Sequence, residues 1–268
     1  MRNLIRADVY KIARGKALYI TLAVLLVMII MAVTVNASLI TMTNEDGIVA
    51  PLGIEIHGGT DGFVSAVDAM FMSMEQLMFV LLALVMLTTI PIFSNGTVKN
   101  DIARGVSRTK LYLSKWIVCS VLCILMYLAY LGAGMLLYVI INGLGSPAPA
   151  GFWTTLIQAA GAQIFILLAA TSFGLFLVFT TKRSGMVIGI YIAFFLIPTM
   201  LLNLLAFSHN TDLALTLANF DLATSLGRLG FFSQLEAREI LTVLGVGAGY
   251  ILTSTALGLT SFRKAEIK

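Results

Sequence analysis

Apolar residues in this 268-residue chain gather into six long runs, at 17–39, 77–93, 116–141, 153–180, 186–207 and 240–262. None of these runs contains Asp, Glu, Lys, Arg or His. About 20 apolar residues in a helix cross the roughly 30 Å of bilayer hydrocarbon. Backbone groups in lipid must pair within their own segment, so helices are the expected form at these lengths. The pattern predicts an all-α polytopic membrane protein with six transmembrane helices in a single transmembrane domain over 1–268. No segment between the runs is long enough to be a soluble domain. The first run exceeds the ~7–15 apolar residues of a secretory signal, and no small-residue cleavage site follows it, so it reads as an uncleaved span.

The polar segments add shorter elements. Residues 1–16 place Ile5, Val9 and Ile12 at helical spacing. They predict an interfacial elbow helix, with Arg2 and Lys16 snorkelling their charges to water. Residues 40–75 lack Lys and Arg, are rich in Gly, and carry Glu45, Asp46, Glu55, Asp61, Asp68 and Glu75. They read as an acidic external loop, with a short helix from Val64 leading into the second span. In the second external loop, 208–239, Leu213, Leu215, Leu217, Phe220 and Leu222 lie among polar residues. This predicts short helices at or dipping into the outer interface. Pro91 marks the end of the second span, and Pro198 should kink the fifth.

The segment 94–115 is the most structured of the connections. Asn95-Gly96 is turn chemistry. Thr97 to Arg104 fits a two-turn helix with Val98 and Ile102 on one face, and Gly105 suits its C-terminal stop. Ser107 then caps a second helix that runs through Lys110 and Lys115 into the third span. A short helical hairpin is therefore expected there.

Charge orients the chain. The segment before run one, the gaps after runs two and four, and the tail hold five, five, two and three basic residues, fifteen of the 17 in the chain. The remaining two are Arg228 and Arg238. Lys and Arg stay on the cytoplasmic side during insertion, so both termini and the hairpin are expected inside. Composition agrees: 59% of residues are hydrophobic, 11% are charged, and mean hydropathy is +0.97. A soluble domain could not hide that much apolar surface. The pI near 9.1 reflects anchoring charges, not a nucleic-acid surface.

Candidate chemistry is sparse. Ion-coupled carriers and intramembrane proteases place ionisable groups within the bilayer, and the runs offer none. Asn36, Asn142, Gln158, Gln163 and Asn203 are expected to pair across helices or face a substrate path. No phosphate-binding loop is present, since Gly15-Lys16 lacks the upstream glycine and the hydroxyl, and no dinucleotide fingerprint follows a strand. The chain is thus not expected to be an enzyme, and ATPase activity would require a partner. Cys119 and Cys123 lie four apart on one helix face, which suits packing and not bridging. His57, near Glu55 and Asp61, fits a solvated loop without a metal. Gly185/Gly189 and Gly245/Gly249 have the spacing that lets helices approach closely.

The most specific pattern is Gly96-Thr97-Val98-Lys99-Asn100, then Gly105-Val106-Ser107-Arg108-Thr109-Lys110 and Leu113-Ser114-Lys115. With the basic N-terminal helix, six spans and the amphipathic segment between spans five and six, the whole chain resembles a permease subunit of the ABC-2 type of ATP-binding-cassette transporter. It is similar to members from Gram-positive bacteria that export antimicrobial or amphipathic peptides, including lantibiotic-immunity and bacitracin-resistance permeases. In that family an acidic residue often precedes the Gly-Thr pair; here Ser94 and Asn95 stand there. The resemblance implies a cytoplasmic coupling helix docking on a separate ATPase subunit, with Thr97, Val98, Lys99, Asp101, Ile102, Arg104, Gly105 and Arg108 as coupling residues. It also implies ATP and Mg on that partner, a second permease subunit in a homo- or heterodimer, an amphipathic peptide substrate taken from the membrane, and a place in a bacterial plasma membrane. The competing reading is a membrane scaffold or sensor without transport; the short hairpin, whose helix–Gly–helix organisation is more than topology requires, favours the permease.

Overall fold

The computed structural model describes residues 2–46, 63–144, 148, 151–207, 211–230 and 237–264. These fold into eleven helices and no strand: α1 (Arg2–Ala13), α2 (Lys16–Asp46), α3 (Phe63–Met72), α4 (Glu75–Ser94), α5 (Thr97–Ala103), α6 (Arg108–Asn142), α7 (Phe152–Thr181), α8 (Ser184–Phe207), α9 (Thr211–Ala218), α10 (Leu222–Arg228) and α11 (Ala237–Lys264). Helices α4, α6, α7, α8 and α11 contain segments long and apolar enough to cross a membrane. Segments of α1 and α2 qualify as a sixth if they are taken together as one span bent by 63°. The chain is a helical, membrane-embedded protein.

Most of the segment 1–16, expected to be an elbow helix, is helical as α1. Its last turn tightens as the Gly15 N–H donates to Ile12 O at 3.0 Å, and the next helix restarts with Leu18 N–H donating to Gly15 O at 3.2 Å. The inward stripe of α1 is Leu4, Ile5, Asp8 and Ile12, whereas Val9 points outward and is 52% exposed. An acidic residue therefore occupies the middle of the stripe that Val9 was expected to share.

Two boundaries differ from expectation. Residues 40–46, read as loop, continue α2; residues 47–62, including Glu55, His57 and Asp61, lie outside the described residues, and the short helix expected from Val64 is α3. Pro91 lies inside α4, which runs on to Ser94. Proline removes one intrahelical donor. The final turn is nevertheless held, because Asn95 N–H donates to Pro91 O at 3.0 Å and the Thr97 hydroxyl donates to Ile92 O at 3.1 Å. Helix α10, one of the short helices expected at or dipping into the outer interface, packs among α4, α7, α8 and α11, with Leu222, Leu226 and Leu229 buried.

Helix α7 is the central strut, packed against α4, α6, α8, α10 and α11. Of its most apolar window, 61% is buried, against 17% for α8 and for α11, so those two helices are peripheral. Small residues on α7, Ala159, Ala162, Ala169, Ala170 and Gly174, are buried and let neighbours close in. The close approaches of α11 use Gly247, where a Cβ would stand 2.9 Å from the Phe165 ring, and Gly258, where it would stand 2.8 Å from the Tyr112 ring. The spaced glycines Gly185, Gly189, Gly245 and Gly249 are exposed and have nothing within 4 Å of a Cβ. Inter-helix contact within this chain thus runs through Gly247 and not the flanking pair.

Candidate functional site

The hairpin forms, and its geometry follows from its sequence. Gly96 takes φ +65° and opens α5. Gly105 takes φ +83°, a conformation glycine adopts without penalty. It closes α5 with a paired stop: Gly105 N–H donates to Ile102 O at 2.9 Å and Val106 N–H to Asp101 O at 3.1 Å. Both are the bonds of a Schellman cap. Ser107 then caps α6, its hydroxyl oxygen accepting from Lys110 N–H at 3.4 Å.

The structure places the expected coupling residues on two faces. Val98 is buried, and Ile102 and Val106 pack against the same core. The apolar face of α5 is therefore seated on its own chain, which corrects the expectation that Val98 and Ile102 present it to a partner. Lys99, Asn100, Ala103 and Arg104 form the exposed face, with Asp101 half-buried beside them. Thr97 is spent on Ile92 O, and Gly105 on the cap. Arg108 turns inward along the bundle end: its Nη1 donates to Phe262 O at 3.1 Å and to Arg263 O at 2.7 Å. It satisfies carbonyls at the α11 terminus and complements that end of the helix dipole.

Arg263 returns the contact, its Nε and Nη2 donating to the Thr109 hydroxyl at 3.2 and 2.9 Å. This reciprocal clasp joins the start of α6 to the end of α11. Under it lies an aromatic knot. Phe179 meets Phe93 at 5.3 Å, Tyr112 at 4.8 Å and Phe262 at 4.8 Å between ring centroids. Those four rings come from α4, α6, α7 and α11, so one ring cluster joins the ends of four long helices. A second anchor is Lys115, which is buried and paired with Asp8 of α1.

The interior polar groups are engaged where α3 breaks into α4. Breaking a helix frees backbone carbonyls that must find partners away from water. Gln163 Nε2 donates to Phe71 O at 3.3 Å, and its Oε1 accepts from the Tyr127 hydroxyl at 3.0 Å. The Tyr130 hydroxyl donates to Ser73 Oγ at 2.9 Å. Gln163 thus pairs across helices as expected, while Gln158 and Asn203 are exposed. The side chains of Asn36 and Asn142 lie outside the described residues. Cys119 and Cys123 are free and buried, as packing residues would be.

Sequence reasoning missed the Lys115–Asp8 pair and the Arg108–Arg263 clasp. The first had a signal, an acid at the centre of the Leu4–Asp8–Ile12 spacing. The second had none, because it joins residues over 150 positions apart.

A family described as "Protein of unknown function (DUF2705)" matches residues 24–268. The chain belongs to that family. The match takes in every helix from α3 to α11 and most of α2, and leaves out α1. Among curated proteins, none matches the chain. The hairpin, clasp and aromatic knot therefore lie within the part of the DUF2705 chain that the family shares, and the Asp8 partner of Lys115 lies outside it.

Proposed function

We propose that the chain is the permease subunit of an ABC-2 type exporter, crossing the membrane six times with both termini in the cytoplasm. The observation that carries this reading is the two-faced helix α5. Its apolar face is seated on its own chain, with Val98 buried and α5 packed against α4, and its polar face, Lys99, Asn100 and Arg104, is open. A push on such a helix reaches α4 and, through the rings of Phe93, Tyr112, Phe179 and Phe262, the ends of α6, α7 and α11, which is what an ATP-driven partner needs. The ATP and Mg reside on a separate ATPase subunit, and this chain hydrolyses nothing alone. The sparsely covered faces of α8 and α11 suit lipid and a second permease subunit. The cargo is an amphipathic or hydrophobic molecule, a peptide by preference, because the apolar runs hold no counter-charge for a small ion. In this reading α1 is the interfacial elbow, and 40–75 and 208–239 face outward.

The test is reconstitution. An ATP-binding-cassette ATPase that co-purifies with the chain should hydrolyse ATP in liposomes only when the chain is present, and a fluorescent amphipathic peptide should redistribute with hydrolysis. An ATPase rate and a peptide distribution that do not depend on the chain would refute it in favour of a scaffold or sensor.

A further inference from the structure

The two basic residues that lie outside the four basic segments of the sequence, Arg228 and Arg238, come together. They line one cavity of about 330 Å³ with Asn219, Ser225, Glu239 and Thr242, at the start of α11. This is the bundle end opposite the Arg108–Arg263 clasp, which holds the other terminus of the same helix. Two arginines and one glutamate are thus among its lining residues. Arg228 is oriented by the Asn219 side-chain oxygen, to which its Nη1 donates. Arg238 is exposed, and among the described residues its guanidinium has no hydrogen-bond or ion-pair partner. The Thr242 hydroxyl is turned away onto Arg238 O at 2.9 Å, so it does not occupy the fork.

Depth identifies the ligand. The spanning part of α11 is 27 residues long, roughly 40 Å of helix. Hydrocarbon takes up about 30 Å of that. The first turn of α11, with Arg238, therefore stands at headgroup level. Phosphate is the anion abundant at that depth, and the planar arginine fork matches its oxygens with paired donors. Leu213, Leu217, Phe220 and Leu241, all exposed, belong to the same α9–α11 region and offer apolar surface to acyl chains.

We propose that the cavity between α10 and α11 is a phosphate site that holds the headgroup of an anionic phospholipid. It takes a phosphate oxygen pair between Arg228 and Arg238, while Glu239 disfavours a second negative charge. The site needs only the membrane placement of α11 and stands whether or not the chain transports anything.

The experiment is native mass spectrometry of the full-length protein in detergent, titrated with phosphatidylglycerol or with phosphatidylcholine. The wild type should retain phosphatidylglycerol in preference. R228Q/R238Q should lose about tenfold or more of that affinity, the scale of one or two charged hydrogen bonds. R228K/R238K, with the charge but not the forks, should fall between. A K110Q/R183Q control removes two exposed charges elsewhere and should retain the lipid. Unchanged circular dichroism and elution volume would show that the variants fold. A parallel titration with inorganic phosphate separates the sources: protection from unfolding by phosphate alone, lost in R228Q/R238Q, keeps the phosphate site but overturns the lipid assignment. Equal retention of phosphatidylglycerol by wild type and R228Q/R238Q would overturn the proposal.

Discussion

Lys115 Nζ lies 2.6 Å from Asp8 Oδ1, with the two side chains 5% and 18% exposed. This pair fastens α1, the one helix wholly outside the family match, to the base of α6. A charge-assisted bond this short is strong only while both partners are present. Replacing Asp8 by Asn would leave a buried ammonium without its counter-charge, a loss of roughly 3 kcal/mol. The thermal midpoint in detergent should therefore fall for Asp8→Asn. It should recover when Lys115→Met removes the orphaned charge as well. Additive losses in that double-mutant cycle would show that the pair is not coupled.

The open face of α5 gives the second prediction. Lys99 and Arg104 are exposed, so Lys99→Glu with Arg104→Glu should leave folding intact and weaken association with the ATPase subunit by about tenfold or more, as reversal of interfacial charge does. Ile102→Asp is a poorer probe, because Ile102 packs on its own chain and the variant would loosen the hairpin itself. Pull-down of the ATPase by the charge-reversed protein at wild-type strength would count against docking on this face.

Much of this architecture was legible because membrane burial leaves a coarse signature. The absence of charge over 77–93 or 153–180 marks a helix whatever its neighbours are. The hairpin was legible for a local reason: Gly96, Gly105 and Ser107 each serve a backbone need within a few residues. The facing of α5 was not. Val98 and Ile102 form an apolar stripe in either case, and only the tertiary packing, in which Val98 is buried and α5 lies against α4, decides that the stripe is already covered. The glycine spacings did not reveal the close approaches within the chain for a similar reason, since spacing does not tell which helix face has a neighbour.

That distinction can be measured. Gly247→Leu and Gly258→Leu would drive side chains into Phe165 and Tyr112, and overpacking of this kind costs about 1–3 kcal/mol. Their thermal midpoints should drop. Gly245→Leu and Gly249→Leu enter open space and should leave the midpoint of the single chain unchanged. If those two glycines seat a second permease subunit, the same variants should shift the protein toward monomer on size-exclusion chromatography.

Orientation follows from thiol labelling. Cys119 and Cys123 are buried, so wild-type background should be low. A cysteine at exposed Arg104 should resist an impermeant maleimide applied to intact cells, and one at exposed Leu144 should react. Efficient labelling at position 104 would invert the topology.

The last prediction concerns pH. Asp68 lies half-buried on α3, which packs against α2 and α6, and burial pushes its carboxyl from 3.8 up to about 6. Desolvation disfavours the charged form, so the folded protein holds this proton more tightly than the unfolded chain does. Between those two values the folded state binds more protons, and stability must fall as pH rises. Below 3.8 both states are protonated, and above about 6 both are charged, so the Asp68 contribution is flat outside that window. Asp68→Asn keeps the shape and removes the proton. The difference in thermal midpoint between wild type and Asp68→Asn should therefore move against the wild type as pH climbs from about 4 to about 6, then level off. A difference that stays constant across that range would show that Asp68 is solvated in the folded protein, and that α3 packs more loosely against α6 than the structure places it.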